Sequence, residues 1–239
     1  MKIKIKDVEV EVDDDLGKQI CSLIKNSVKE PYKLIKWGTI RNEEIDKSRI
    51  QIGTQIDVGA DSPFIFDVVD INNDIYTLVS HYVIADLPFD APEPKNPNEG
   101  IRKFGSNDYL TSNIRQWLNI KFGVDFKPKT PYDVPFTNWE YISPFNLRIY
   151  ATFLSKTLEN SYGDKFWLLS KEDFQEIEFF GKEENRKKTD INGIPKCWWL
   201  RTSSSLNDTG ARYVDTDVSR DCNIARGALG VVPVCQIKL

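Results

Sequence analysis

The segment that most constrains the fold runs from Cys197 to Leu239, CWWLRTSSSLNDTGARYVDTDVSRDCNIARGALGVVPVCQIKL. Two adjacent tryptophans open it, a stretch rich in Ser, Asp, Asn and Arg follows, and an apolar run closes it. Neighbouring residues of a strand face opposite sides of a sheet, so Trp198 and Trp199 cannot share one face. We expect both rings in the core, with a sugar-stacking role for one ring as the alternative. The pattern predicts stiff apolar strands that frame a polar, irregular surface.

Composition limits the class of protein. Of 239 residues, 40% are hydrophobic and 28% are charged, which is typical of soluble globular proteins. The 32 Lys and Arg against 36 Asp and Glu give a net charge of −4 without a basic run, which argues against nucleic-acid binding. No apolar stretch is long enough to span a bilayer, and the N-terminus alternates charged and apolar residues, unlike a secretory signal. We expect synthesis in the cytoplasm and no membrane insertion.

The four cysteines, Cys21, Cys197, Cys222 and Cys235, lie far apart and form no Cys-x-x-Cys pair. This spacing is typical of buried free thiols in a reducing compartment. A Cys222–Cys235 disulfide stays open as an alternative, because spacing alone does not decide a pairing.

The first residues predict a β-hairpin and a helix. With a turn at Lys6–Asp7, every cross-strand pair joins two apolar residues or a lysine with a glutamate: Lys2–Glu11, Ile3–Val10, Lys4–Glu9 and Ile5–Val8. Asp13 to Asp15 then cap a helix that ends at Pro31. Its apolar residues recur at helical spacing, at Leu16, Ile20, Leu23, Ile24 and Val28. Because so small a unit buries little by itself, residues 1–36 are predicted to be an attachment module beside a main domain of residues 37–239.

The main domain begins with a pattern typical of strands. Residues 50–58, 64–71 and 75–84 are rich in β-branched and aromatic side chains, and Asn72–Asp74 indicates a hairpin between the last two. Further strands are predicted at 149–154, at 166–169 and beyond residue 197. Loops are predicted at 86–107, 124–148 and 181–190, with a turn at Asn192–Gly193.

Two helices are predicted from their capping signals. Thr111 or Ser112 can begin a helix over residues 111–122 that Gly123 can end. Its buried side is predicted to hold Ile114, Trp117, Leu118 and Phe122. Ser170 and Asp173 form a capping-box pattern for a short helix through Ile177.

Four segments, in order along the chain, carry a resemblance to a known family. They are SNDYLTSNIRQWLN (106–119), KFWLLSKEDF (165–174), CWWLRTSSS (197–205) and GVVPVCQIKL (230–239). They resemble the NIRxWLN, FLLS, WWLR[ST] and GVRP motifs of an uncharacterised domain family of low-GC Gram-positive bacteria and their phages. In that family the domain is often encoded near tail or structural genes. The resemblance covers roughly residues 50–239, and Val232 departs from it by replacing an arginine.

The closing pattern also resembles the end of C-type-lectin-like folds. These include variable receptor-binding proteins of phage retroelements and the formylglycine-generating enzyme family. We therefore expect an α+β fold with mixed, largely antiparallel sheets and a few helices, with a C-type-lectin-like main domain beside the hairpin–helix module. If the family's arginine pairs with a core acid, Val232 removes that pair here.

Residues that could carry chemistry have plainer explanations. His81, the single histidine, has no nucleophile motif near it and is expected to be structural or on the surface. Asp208, Asp215, Asp217 and Asp221 could supply oxygen ligands to calcium, but they do not follow the EF-hand pattern and are expected to be exposed turn acids. We predict no catalytic residue, no metal site and no cofactor.

The polar middle of the last segment is the predicted ligand surface. Tyr, Ser, Asn and Arg in loops favour adaptable binding surfaces, and a plain solvated loop is the alternative. The candidate ligand-binding residues are Ser204, Asn207, Asp208, Arg212, Tyr213, Asp215, Asp217, Arg220, Asn223 and Arg226.

The resemblance implies a non-catalytic phage or prophage structural protein, located in the virion as a tail or particle component after synthesis in the host cytoplasm. Its expected partners are other phage structural proteins, or a glycan or protein of the host surface, and a homo-oligomer is plausible. Two alternatives stay open. One is an enzyme with a lectin-type, formylglycine-generating-like fold, for which Cys222 and Cys235 would have to lie together. The other is a cytosolic bacterial interaction protein.

Overall fold

The smaller of two compact units contains a pair of antiparallel strands. A computed structural model of the chain describes residues 2–5, 8–11, 34–37, 47–59, 64–119, 149–217 and 220–239. The two units span Met1–Leu34 and Ile35–Leu239. In the first, β1 (Lys2–Ile5) pairs antiparallel with β2 (Val8–Glu11), and Lys2 lies opposite Glu11. The predicted register is confirmed. The predicted turn and helix lie outside the described residues.

The larger unit contains two five-stranded sheets. Its strands are β3 (Leu34–Lys36), β4 (Gln55–Asp57), β5 (Ile65–Asn72), β6 (Ile75–Ser80), β7 (Ala85–Pro88), β8 (Lys188–Thr189), β9 (Pro195–Lys196), β10 (Trp198–Ser203), β11 (Gly210–Val214), β12 (Arg220–Ile224), β13 (Ala228–Val231) and β14 (Val234–Lys238). Sheet I has the order β14–β6–β5–β4–β3, and sheet II has the order β12–β11–β10–β13–β7. β8 and β9 form a separate hairpin.

Short helices cover parts of these sheets. They are α1 (Glu99–Phe104), α2 (Asn113–Leu118), α3 (Ala151–Lys156), α4 (Lys171–Glu176) and α5 (Glu183–Arg186). In the described ranges, 3-10 turns lie at Lys47–Arg49, Tyr109–Thr111 and Glu178–Gly181. Among the described helices, none has the length and apolar content to cross a membrane. The α+β class with mixed sheets is confirmed, because β10 and β13 run parallel while most other pairs are antiparallel.

Two continuous chain segments join the sheets. β6 runs on into β7 of sheet II, and β13 runs on through Val232 and Pro233 into β14 of sheet I. At the bend, the N–H of Ser80 donates to the carbonyl of Pro233 at 2.9 Å, and the N–H of Ile84 donates to the carbonyl of Val231 at 3.0 Å. The two segments therefore form one bent, two-stranded ribbon. Val232 is fully buried at this bend.

Both tryptophans of β10 belong to the core, as predicted. Each ring is fully buried, and the two rings contact different parts of the core. Trp198 packs edge-on against Phe174, with ring centroids 5.6 Å apart, and Trp199 packs against Phe89 at the same distance. The indole N–H of Trp199 donates to the carbonyl of Leu87 at 2.9 Å, so its one polar atom is satisfied inside the core.

Several local predictions are confirmed. The β5–β6 hairpin turns at Asn73, whose φ is 55°. The Ser112 hydroxyl accepts the N–H of Arg115 and caps α2, and the buried residues of α2 include Ile114, Trp117 and Leu118. Ser170 and Asp173 form the predicted capping box of α4. The predicted positions of Phe122 and Gly123, and the loop 124–148, lie outside the described residues.

Four local predictions are wrong or incomplete. Residues 149–154 do not form a strand, since α3 occupies most of that range. Residues 166–169 contribute an isolated bridge, Trp167 to Val234, in place of a full strand. The range 86–107 is not one loop, since it holds α1 and most of β7. The range 181–190 is not a solvated loop either, because it holds α5 and β8, including the buried Lys188.

Gly230 marks the tightest approach in the ribbon. A Cβ at this position would lie 2.7 Å from the carbonyl oxygen of Cys197 and 2.9 Å from both methyl groups of Val83. The Cys197 oxygen is main chain and already accepts the N–H of Gly230 at 2.8 Å, so it cannot move away cheaply. β13 therefore requires a residue without a side chain where it passes β10.

We expect Gly230→Ala to lower the free energy of unfolding by about 2 kcal/mol, because the added methyl forces the backbone of two strands apart. Gly181→Ala is the matched control, since a Cβ at Gly181 meets no atom within 4 Å. Urea denaturation of both variants measures the difference. Equal stabilities for the two variants would contradict the close approach at Gly230.

Candidate functional site

Three of the predicted ligand residues form the turn between β10 and β11. The Asn107 side-chain amide donates to the carbonyls of Asn207 at 2.7 Å, Gly210 at 3.0 Å and Ser204 at 3.4 Å. The Asn98 amide donates to the Asp208 carboxylate at 2.9 Å. The side-chain amides of Asn98 and Asn107, next to α1, therefore hold the turn through hydrogen bonds.

Arg226 lies at the same end of sheet II, in the turn between β12 and β13. Its guanidinium stacks over the ring of Phe104 with 4.8 Å between the guanidinium carbon and the ring centroid. Its main-chain N–H donates to the Phe104 carbonyl at 3.0 Å. This contact joins the last turn of α1 to sheet II.

The other predicted residues follow β11 and β12 to the opposite end. Arg212 pairs with Cys222, and Asn223 pairs with Ala211. The Tyr213 ring packs against Trp199, and its hydroxyl lies 3.4 Å from Asp215. The Cys197 thiol donates to the Asp215 carboxylate at 3.2 Å, and this hydrogen bond lowers the pKa of Asp215.

Sheet II therefore spreads the ten residues over both ends of β11 and β12 and the strands between them. Ser204, Asn207, Asp208 and Arg226 lie at one end, while Asp215, Asp217 and the backbone of Arg220 lie at the other. The five residues of β11 separate these ends by roughly 15 Å. Their role in ligand binding stays a prediction. In the part of the chain that the structure describes, no three His, Cys, Asp or Glu residues are grouped as a metal ion would need.

The cysteines do not form the possible disulfide. Cys197, Cys222 and Cys235 are not disulfide-bonded. Cys222 belongs to β12 in sheet II and Cys235 to β14 in sheet I. Burial raises the pKa of the Cys235 thiol well above its ordinary value, which favours the unreactive protonated form.

A buried ion cluster that the sequence did not predict lies on sheet I. The Asp67 carboxylate accepts a hydrogen bond from His81 Nδ1 at 2.8 Å and lies 3.3 Å from Lys188 Nζ. The Lys188 ammonium also donates to the Ser80 carbonyl at 2.7 Å, and the Gln55 amide donates to Asp67 at 3.3 Å. Lys188 thereby connects β8 to β5 and β6.

Opposing forces set the charges in this cluster. Burial raises the pKa of Asp67, but Lys188 and His81 outweigh burial, so the net pKa of the carboxyl is lowered. Burial also lowers the pKa of the Lys188 ammonium, and Asp67 offsets only part of that effect. A carboxylate with a lowered pKa stabilises the fold above its unfolded pKa, and this contribution is lost as the pH falls through the folded value.

A β-bulge gives sheet I a second polar row on the same face. Val68 lies opposite Leu78, but Asp70 lies opposite Thr77, so Val69 is an extra residue in β5. The extra residue turns Asp70 to the face that also carries Asp67. Thr77 lies opposite Gln236 as well, and the Gln236 amide donates to the Thr77 hydroxyl at 3.1 Å. Asp70, Thr77 and Gln236 thus form a row across three strands.

This row forms one wall of an open cleft of about 300 Å³. The remaining walls come from the loop at 160–162, the segment 167–177 and β10. The lining residues are Asp70, Thr77, Asn160, Ser161, Tyr162, Trp167, Leu169, Asp173, Glu176, Ile177, Arg201, Val234 and Gln236. The cleft combines two aromatic rings, several carboxylates, amides and hydroxyls, and an apolar part around Leu169 and Val234.

Rigid contacts hold the lining residues. Arg201 forms an ion pair with Asp173 at 2.7 Å, which connects β10 to α4. Arg115 of α2 binds the Asp164 carboxylate at 2.8 Å and donates to the Tyr162 carbonyl at 3.1 Å. The Asn160 side chain accepts the N–H groups of Tyr162 and Asp164, which closes the loop on itself. Tyr162, though 55% exposed, therefore sits on a backbone that is fixed from both sides.

No single stretch of the sequence predicts the cleft. Three of the four segments that carry the family resemblance supply lining residues: Trp167 to Asp173, Arg201, and Val234 with Gln236. The fourth segment supplies Arg115, which positions the loop of Tyr162. The ordered motifs were a usable signal, because they converge on this cleft. The predicted surface at 204–226 contributes none of its ten residues to the lining.

We expect Lys188→Met to lower the free energy of unfolding by about 3 kcal/mol, because it leaves the buried Asp67 carboxylate without its ammonium partner. The double variant Asp67→Asn, Lys188→Met should recover part of this loss, since neither charge remains. Lys187→Met is the control: this neighbouring lysine is exposed, and its ion pair with Glu183 should contribute nothing measurable. Equal denaturation midpoints for Lys188→Met and Lys187→Met would contradict the buried pair.

Comparison with known proteins places the chain in a family. The model of the family DUF6273, a domain of unknown function, matches residues 74–239. The matched range includes all four segments of the family resemblance and every lining residue of the cleft except Asp70. No curated protein and no solved structure matches the chain. Because the family model covers more than half of the 239 residues, the chain belongs to the DUF6273 family.

Proposed function

We propose that this protein binds, without catalysis, a saccharide unit of a host-cell surface, and that the cleft on sheet I is the binding site. The observation that carries the proposal is the combination of Tyr162 and Trp167 with a row of hydrogen-bonding side chains on rigid strands. Binding sites of this kind pair apolar surface with a few fixed polar groups.

The cleft's chemistry matches a sugar ring. A pyranose presents an apolar face of C–H groups, which suits an aromatic ring, and an edge of hydroxyls, which donate and accept hydrogen bonds. Asp70 and Glu176 can accept from hydroxyls, while the Asn160 amide can both donate and accept. The volume of about 300 Å³ lies at the lower end for ligand sites, which fits one saccharide unit of a longer chain.

The lining supports binding more than catalysis. Among the described lining residues there is no histidine, cysteine or lysine. Acid–base chemistry in the cleft would fall to the carboxylates of Asp70, Asp173 and Glu176, to which we assign a binding role. The enzyme alternative, with a formylglycine-generating-like fold, needs two neighbouring thiols. Cys222 and Cys235 belong to different sheets, and no other observation favours this alternative.

We place this binding activity on a phage or prophage particle, as a tail or surface component. The support is the resemblance to domains encoded near tail and structural genes, together with membership of the DUF6273 family. In this proposal the N-terminal module attaches the protein to other structural proteins, and a C-type-lectin-like main domain faces outward. Self-association of the protein is compatible with this arrangement. A cytosolic interaction protein is the remaining alternative.

Binding to the host surface tests the site. We expect the wild-type chain to bind a glycan array or whole host cells, and Tyr162→Ala to weaken binding about tenfold, since a lost ring contact costs on the order of 1 kcal/mol or more. Arg212→Ala and Asn223→Ala are matched controls on sheet II and should bind like the wild type. If the controls lose binding and Tyr162→Ala keeps it, the ligand surface is the one predicted at 204–226.

The location of the protein separates the two biological settings. We expect mass spectrometry of purified phage particles, from a host strain that encodes this chain, to find it at a fixed ratio to the tail proteins. Detection in the host cytosol alone, with none in the particles, would favour the interaction protein.

A further inference from the structure

We infer that the cleft selects a ligand that carries a protonated amine, so the saccharide it binds is an amino sugar with a free ammonium group. This inference rests on the proposed function and names the class of ligand for the same site.

The charges of the cleft do not balance. Among the described lining residues, three carboxylates, on Asp70, Asp173 and Glu176, face one guanidinium, that of Arg201. That guanidinium is already engaged, because it pairs with Asp173 at 2.7 Å and points another N–H to the carbonyl of Leu168 at 3.4 Å. Two negative charges are therefore left for a ligand to neutralise.

Within the described ranges of the chain, neither of these two charges has a partner. Asp70 and Glu176 make no ion pair or hydrogen bond through their side chains with any described residue of the chain. Asp70 comes from β5, and Glu176 comes from α4, so the two carboxylates belong to different walls of the cleft. An ammonium group bound between these walls can interact with both.

The aromatic residues favour the same ligand charge. The face of an aromatic ring carries negative charge density and attracts cations, and the exposed ring of Tyr162 lines the cleft beside the largely buried Trp167. Rings and unpaired carboxylates together are selective for an organic cation, because the ring also contacts the ligand's carbon skeleton. A bare metal ion is a poorer fit, since the described acids are not grouped closely enough for three of them to share one ion.

The remaining polar groups point to a sugar as the carrier of the amine. The Thr77 hydroxyl is already occupied by the Gln236 amide, which leaves the Thr77 proton and the Gln236 oxygen for further hydrogen bonds. Asn160 and Ser161 add further polar atoms on the opposite loop. A ligand with several hydroxyls beside its ammonium uses these groups, whereas a simple alkylamine does not.

Three hexose derivatives that differ in charge test the inference. Glucosamine, N-acetylglucosamine and glucuronate are titrated into the full chain by calorimetry at about pH 6, where the amine is protonated and the carboxylate is ionised. We expect glucosamine to bind about tenfold more tightly than N-acetylglucosamine, and glucuronate to bind most weakly. The preference for glucosamine should decline as salt is added, because ions screen the partly exposed carboxylates.

Charge-neutral variants identify the carboxylates responsible. Glu176→Gln and Asp70→Asn should each reduce the ratio of glucosamine affinity to N-acetylglucosamine affinity by at least threefold. Glu178→Gln is the matched control: it removes one exposed carboxylate two residues from Glu176 but outside the cleft, and it should leave the ratio unchanged. A ratio that is equally insensitive to all three variants would overturn the assignment.

The outcomes for the inference and for the proposed function are distinct. If glucosamine and N-acetylglucosamine bind equally well to the wild type, the amine preference is refuted and the saccharide site stands. If none of the three hexoses binds and the glycan array is also silent, both proposals fail together.

Discussion

The larger unit depends on a two-stranded ribbon that belongs to both of its sheets. Hydrogen bonds between Ser80 and Pro233 and between Ile84 and Val231 carry the pairing across the bend, so neither sheet can shift without the other. The ribbon leaves no room for a side chain at Gly230, where the main chain of Cys197 comes close. Buried main-chain groups must find partners, and the continuous ribbon provides them between the sheets without a separate linker.

The same face of sheet I holds two rows of polar residues, one buried and paired within the protein and one open to the cleft. Asp67 and Asp70 are three residues apart, and the bulge at Val69 points both to one side. Asp67 is buried, pairs with the Lys188 ammonium and accepts a hydrogen bond from His81. Asp70 opens into the cleft, where no described cation compensates it. A buried carboxylate destabilises the fold if it loses its partner, whereas a carboxylate left unpaired at an open cleft is available to a ligand.

The sequence predicted features whose signal is local. The hairpin register from Lys2 to Glu11, the capping box at Ser170 and the burial of both tryptophans each follow from neighbouring residues. Features that depend on distant partners were missed. Residues 181–190 resemble a solvated charge run, and Lys188 is buried because of Asp67, 121 residues away in the sequence. The helix at Ala151–Lys156 has strand-like composition, but its Thr152 hydroxyl accepts the indole N–H of the distant Trp37. The cleft was missed for the same reason, since its lining residues come from segments far apart in the sequence.

The pairing of β14 with β6 has a consequence for how the molecule is made. Gln236 and Thr77, hydrogen-bonded neighbours in sheet I, are 159 positions apart in the sequence. During synthesis on the ribosome, the edge of β6 that pairs with β14 stays unpaired until nearly all of the larger unit has been synthesised. Closing so long a loop costs entropy before any contact is gained, so this step should limit the rate of folding. Until then the nascent chain exposes a strand edge that can pair with other chains, and a holding chaperone would be most useful during that interval.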